Sequence, residues 1–204
     1  MSTITQEQQQ AILSWVQTHG IPSGLGTEEA ACSIASINLA LTGELTDRIP
    51  DCMSPVIGRW IIQVQDAMPA DMRNGAEWKH LLPLAAGTGR EHEKEHREIV
   101  MEWMWVTVLP YLQALADKRG FGDKWREMCQ QKTYAAAKEA KYAADAAAAY
   151  AADAAAAAAY AYAAADAAAY AADAAADAAA YAKDQAWKHF NPCEVLRRLI
   201  EVSA

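Results

Sequence analysis

"AAAYAADAAADAAAYAKDQAW", residues 167–187, is written almost entirely in alanine, tyrosine and aspartate, with no glycine, proline or β-branched residue. Alanine has the highest helix propensity and loses no side-chain entropy on folding, so such a stretch reads as helix without any need for bulky packing. The reading extends well beyond it. Neither glycine nor proline occurs between Gly122 and Pro192, and one straight helix of that length would reach on the order of 100 Å at 1.5 Å per residue. The sequence therefore predicts a single long helix, or a hairpin with its bend inside the alanine run.

The chain before this tract reads as a succession of capped helices. In "TQEQQQAILSWVQTHG", Thr5 and Gln8 have the capping-box spacing, Ile12, Leu13 and Val16 supply an apolar stripe, and Gly20 is a stop. In "GTEEAACSIASINLALTG", Thr27 is read as a cap, with Ala30, Ile34, Ile37, Asn38 and Leu41 on one face before Gly43. "SPVIGRWIIQVQDAMP" has Ser54 as cap, Pro55 in the first turn and Pro69 as terminator. A shorter helix is expected at "AEWKHLLPLAAG". Thr88 and Glu91 then have capping-box spacing before "REHEKEHREIVMEWMWVTVLP", which Pro110 bends or ends ahead of "YLQALADKRGFG". At the far end Asn191 and Pro192 open "CEVLRRLIEV", whose Val195, Leu196, Leu199 and Ile200 form a docking stripe. No alternating strand pattern appears. The expected organisation is all-α: a helical head over 1–122, an alanine-rich arm over 123–190 and a C-terminal docking helix over 191–204.

Composition narrows the function. A chain of 204 residues with net charge −8 and a sequence pI near 5.1 argues against a phosphate-backbone binder, which carries a basic patch. Membrane insertion of the arm is also disfavoured. Five aspartates lie between Asp145 and Asp177, each costing roughly 2.5–3.5 kcal/mol near a bilayer centre. The cysteines 32, 52, 129 and 193 have no C-x-x-C spacing, and the polar start "MSTITQEQQQ" lacks a secretory pattern. A reducing cytoplasm is expected, with the thiols as small core residues.

The arm carries an imperfect Tyr-Ala-Ala-Asp repeat at Tyr142, Tyr150 and Tyr170, echoed at Tyr181. Helical rotation brings Tyr162, Tyr170 and Tyr181 within about 100° of one another, beside Asp166, Asp173, Asp177 and Asp184, and leaves an opposite face of alanine. Packing of a neighbouring helix explains the alanines. The tyrosines and aspartates are candidates for contact with a partner, since tyrosine offers a large area with few rotatable bonds. Mimicry of DNA is not expected: five charges over about 48 Å of helix give one per roughly 10 Å, against one per about 1.7 Å in duplex DNA. Because an alanine face buries little area per residue, the arm is expected to pack on the head or on a second copy in a homodimer.

Three other stretches could bear chemistry. His92-Glu93-Lys94-Glu95-His96 fits the H-E-x-x-H spacing in which two histidines one turn apart ligate zinc and the carboxylate serves as base. This is the alternative reading, a zinc-dependent hydrolase, although Ile99 and Glu102 stand where a longer metzincin pattern needs glycine and histidine. The turn Thr88-Gly89-Arg90 could hold an anion or nucleotide phosphate at a helix start, but it lacks the P-loop lysine. Asn38 on an apolar face, with Asp47, Arg48 and Asp51 in the following loop, suggests either a small pocket or a structural hydrogen-bond network.

The tail "AAYAADAAA…YAADAAADAAAYA" resembles the alanine-rich region of immunity proteins found with bacterial toxin systems. The head, in "ACSIASINLALTG" and "IPDCMSPVIGRWI", is similar to small proteins of bacterial and prophage genomes. The tail departs from that pattern in having no basic residue between Lys141 and Lys183. The resemblance covers about a third of the chain at the tail and implies a non-enzymatic, cofactor-free protein that binds and neutralises a macromolecule in microbial conflict, as an immunity protein or a phage-borne inhibitor of host defence. It assigns no residue a role.

Overall fold

The computed structural model describes residues 4–146, 153–157, 174–177 and 186–204. Helix accounts for 73% of these residues and none of them forms a strand; an isolated bridge joins Gly26 and Ala31. The fold is all-α, and it divides into two compact units. One comprises residues 1–96 and 192–204, the other 97–191. The division falls at 96/97 rather than at the 122/123 boundary expected from the sequence.

The first unit is built on α1 (Gln6–Thr18), α2 (Ser33–Thr42), α3 (Pro55–Ala67), α4 (Ala70–Arg73) and α5 (Ala76–Ala86). The capping box of α1 is formed as read: Thr5 Oγ1 accepts from the Gln8 amide, and the Gln8 side chain accepts from the Thr5 amide. α3 likewise starts with Ser54 as cap and Pro55 in the first turn, and stops before Pro69. α2 begins later than expected, at Ser33 rather than after Thr27, with Cys32 as its cap. The reason lies in the preceding turn. Gly26 sits at φ +82°, where an added Cβ would lie 2.1 Å from the Ala30 carbonyl, and the Thr27 and Cys32 amides donate to Ala30 and Leu25. Those bonds close a tight loop that uses the backbone groups a helix would need.

α1 packs on α2 and α5, and α2 on α3, around buried Ile12, Val16, Ile34, Ile37, Ile57, Trp60, Ile61 and Trp78. Ser33, buried inside this core, has its hydroxyl partnered, as burial requires. Ser33 Oγ donates to Gln65 Oε1 and accepts from Trp78 Nε1. Gly58 allows close approach of the loop before α3, since a Cβ there would meet Ile49 at 2.7 Å. The end of the chain completes the unit: α12 (Pro192–Glu201), numbered after the helices of the second unit, contacts α5 and α3 through its buried Val195, Leu196 and Leu199.

The unit boundary lies within α6 (Glu93–Trp103), which starts at Glu93 and is not capped by Thr88. In the second unit the helix widens into a π-turn (Met104–Val108) and continues as α7 (Leu109–Tyr111), α8 (Gln113–Arg119), α9 (Gly122–Gln131), α10 (Tyr134–Ala146) and α11 (Ala186–Phe190). The π-turn precedes Pro110, whose missing N–H and ring disturb the regular ladder. Trp103 Nε1 donates to the Phe190 carbonyl and Trp125 Nε1 to that of Leu109, both at 2.8 Å. The expected uninterrupted run after Gly122 is broken at Lys132, which takes φ 51° and caps α9. Thr133 then opens α10 by accepting from the Ala136 amide. This break precedes the alanine run; the bend expected inside that run falls on residues that lie largely outside the described ones.

No single helix among the described residues is long and apolar enough to cross a membrane; the segments 93–111 and 113–119 have that character only together, and they meet at 45°.

Candidate partner-binding surface

α10 opens the alanine run of the arm. Ala136, Ala137, Ala140 and Ala144 are buried and recur at helical spacing on one face. Tyr134 and Tyr142 project from the other, 42% and 52% exposed. Lys138 lies between them in sequence, so the three recur every four residues and form one stripe. The ammonium groups of Lys138 and Lys141 stand 5.7 and 5.9 Å from the Tyr142 ring centre. Contacts of this kind contribute roughly 0.5–1 kcal/mol at exposed sites. They hold the ring as a flat platform flanked by positive charge, while Lys141 also pairs with Asp145 one turn on.

Ala154, Ala155 and Ala157 are buried and Asp153 is exposed; Ala174 and Ala175 are buried, with Asp177 at intermediate exposure. Small residues such as these let packed neighbours approach closely. Of the contact residues expected from the sequence, only Asp177 is described. Tyr162, Tyr170, Tyr181, Asp166 and Asp173 lie outside the described residues. Tyr134 belongs to this surface too, and the sequence reading passed over it because it precedes the first Tyr-Ala-Ala-Asp repeat.

In the turn at residues 88–90 the Thr88 hydroxyl and the Gly89 amide are engaged. Thr88 Oγ1 donates to the Ala85 carbonyl at 2.8 Å and accepts from the Ser54 amide at 3.1 Å, and the Gly89 amide donates to the Cys52 carbonyl at 2.9 Å. Arg90 pairs with Asp51. Thr88 and Gly89, expected to cradle an anion, tie this turn to the segment that opens α3.

The histidine pair is also placed differently from the metal reading. His96 is fully buried. Its Nδ1 lies 3.1 Å from Ser54 Oγ and its Nε2 2.9 Å from Ser203 Oγ. A neutral imidazole offers one donor and one acceptor, so both nitrogens are satisfied by hydroxyls. Burial lowers the pKa of this ring and keeps it neutral, against an opposing pull from Glu93. His92 stands edge-on with ring centres 6.3 Å apart. Among the described residues no three histidine, cysteine, aspartate or glutamate side chains are grouped to hold a metal ion. His96 is therefore a buried junction between α3 and the chain terminus, and nothing near it in sequence announced Ser203 as a partner.

Asn38 anchors the loop after α2: its amide nitrogen donates to the Thr46 and Arg48 carbonyls, each at 2.8 Å. The four cysteines are free thiols. Burial raises the pKa of Cys129 and Cys193 to about 11, which keeps both protonated.

No family model, no curated protein sequence and no solved structure matches this chain.

Proposed function

We propose that this protein binds a protein target through the tyrosine-bearing face of its arm and neutralises it in microbial conflict, as an immunity protein or a phage-borne inhibitor of host defence. The observation that carries the reading is the division of α10 into a buried alanine face and an exposed stripe of Tyr134, Lys138 and Tyr142. Exposed tyrosines spend large aromatic area where water rather than a core receives it. Tyrosine dominates typical binding hot spots, because its rigid ring excludes water over a wide contact while its hydroxyl stays paired. Exposed aspartates act mainly on encounter rate.

The test begins with capture of the target from the native host on the intact chain, followed by calorimetry of the purified pair. Replacing Tyr134 and Tyr142 with alanine should weaken binding about tenfold or more, the loss of at least 1.4 kcal/mol expected from hot-spot truncation. Asp145→Asn with Asp153→Asn should cost less and act on the association rate. A larger loss in the aspartate variant, with steep salt dependence, contradicts the tyrosine-led reading. Equal affinity of all variants removes the α10 face from the interface.

A further inference from the structure

Where the segment after α12 meets the turn after α5, the first unit has an open cavity of about 170 Å³, lined among others by Gln9, Leu84, Thr88, Ile200 and Ser203. Leu84 and Ile200 give it an apolar wall. Ser203 is half-buried, and its hydroxyl lies 2.9 Å from Nε2 of the fully buried His96. The other ring nitrogen, Nδ1, lies 3.1 Å from Ser54 Oγ. A serine on a cavity, an imidazole within hydrogen-bond reach of it and a third group across that ring form the arrangement that activates a hydroxyl for attack.

The surroundings of the ring suit a base. Ser54 is fixed at the start of α3, where its Oγ accepts from the Ile57 amide, and a hydroxyl has a second lone pair to accept from Nδ1–H. With the ring hydrogen on Nδ1, the Nε2 lone pair is left for the Ser203 hydroxyl. Burial keeps the ring neutral before reaction, while Glu93, the Leu199 carbonyl and Glu95 favour its charged form and His92 opposes it. Those three groups support the imidazolium that forms once the Ser203 proton is taken. Size sets the substrate class, because pockets for drug-sized molecules run from roughly 300 to 1,000 Å³. An acyl group of a few carbons fits this cavity, and a nucleotide does not.

We propose that Ser203 and His96 form a nucleophile and base that hydrolyse short acyl esters, with Ser54 as a positioning residue. The Ser203 oxygen bonds to the acyl carbon as its proton passes to His96 Nε2. The bond from that carbon to the alcohol oxygen then breaks, and the alcohol leaves with the proton from His96. Water repeats both transfers, which releases the carboxylic acid and restores the Ser203 hydroxyl. The Gln9 carboxamide, on the same lining, has N–H groups to offer the oxygen that gains charge. The site belongs to the first unit and stands whether or not α10 binds a target.

Incubation of the full-length protein with p-nitrophenyl acetate and p-nitrophenyl butyrate tests this, alongside treatment with methanesulfonyl fluoride followed by peptide mass mapping. The expected results are saturable hydrolysis above the buffer rate and a sulfonyl adduct on Ser203. Ser203→Ala should leave the protein folded by circular dichroism and bring hydrolysis to background. His96→Asn should lower the rate about a hundredfold or more, as expected for loss of a general base. In the parent, the rate should fall at acid pH as the ring takes up a proton before reaction. Ser54→Ala acts only through the ring, so it should lower kcat with KM unchanged and end the placement of the ring hydrogen on Nδ1 seen by nitrogen NMR. Absence of turnover with both esters overturns the proposal. So does an unlabelled Ser203, hydrolysis that survives Ser203→Ala, or a neutral His96 ring in the parent that carries its hydrogen on Nε2.

Discussion

At His96 a single buried ring joins residues that lie far apart in the chain. It bonds Ser54, which caps α3 by accepting from the Ile57 amide, and Ser203, next to the C-terminus. Replacing His96 with alanine leaves a cavity and deprives two hydroxyls of a partner, so thermal unfolding should show a loss of about 2–4 kcal/mol. The pH dependence follows from the lowered pKa, whose main cause is burial, with Glu93 and Glu95 favouring the charged ring and His92 opposing it. The unfolded chain takes up a proton near the ordinary value of 6.5, while the folded ring does so only at lower pH. The stability this residue contributes is therefore fully present above that value and is lost as the pH falls toward the folded pKa. The melting temperature should decline as pH falls below the ordinary value, and His96→Asn should flatten that part of the curve. Zinc and a chelator should leave the melting temperature unchanged, because binding metal would cost His96 both hydroxyl contacts; a stoichiometric zinc content abolished by His92→Ala with His96→Ala would contradict this placement. The sequence made His96 conspicuous for its spacing from His92, yet its role depends on a serine 107 positions away.

At the scale of the helix, the local rules of capping and breaking explain most boundaries and fail where long-range bonds compete. Thr5, Ser54, Pro55 and Pro69 act as their sequence neighbourhoods dictate. Thr88 does not, since its hydroxyl is drawn to Ser54 and Ala85. The break at Lys132 carries no glycine or proline to mark it, and a lysine at φ 51° is strained by its Cβ. Lys132→Gly should relieve that strain and stabilise the protein by about 0.5–1 kcal/mol, seen as a rise in melting temperature. The two faces of α10 give a sharper test. Ala140 is fully buried and Ala135 is exposed. Ala140→Leu should overpack and cost about 1–3 kcal/mol, whereas Ala135→Leu should stay within about 0.5 kcal/mol of the parent. Equal effects at the two positions would contradict the assignment of faces. Leucine and alanine have similar helix propensities, so the difference reports packing alone.

Across the whole molecule, the first unit is assembled from both ends of the chain, with α12 supplying Val195, Leu196 and Leu199 to its core. Arg197 reinforces the seam by pairing with Glu77 on α5, although an exposed pair of this kind contributes little beside the buried side chains. Removing residues 192–204 should expose apolar surface on α3 and α5 and take away the Ser203 hydroxyl. The shortened protein should lose cooperative thermal unfolding in the first unit, with broad signals from Trp60 and Trp78 and increased binding of a hydrophobic dye. Retention of the parent transition would show that α12 is dispensable. The amphipathic stripe of α12 was legible from its sequence; the surface that receives it was not.

The sequence by itself determined that this chain is helical, where several helices begin and end, and that the alanines of α10 fall on a different face from Tyr134 and Tyr142. These follow from propensity, capping and the 3.6-residue period, which act over about one turn of chain. Only the tertiary structure decided that the units divide within α6, that Thr88 and His96 serve the junction at Ser54, and that Asn38 holds the loop after α2. Each of those outcomes depends on which distant donor meets which acceptor in the packed interior. A buried polar group must find a partner wherever the fold brings one, and sequence spacing does not encode that meeting.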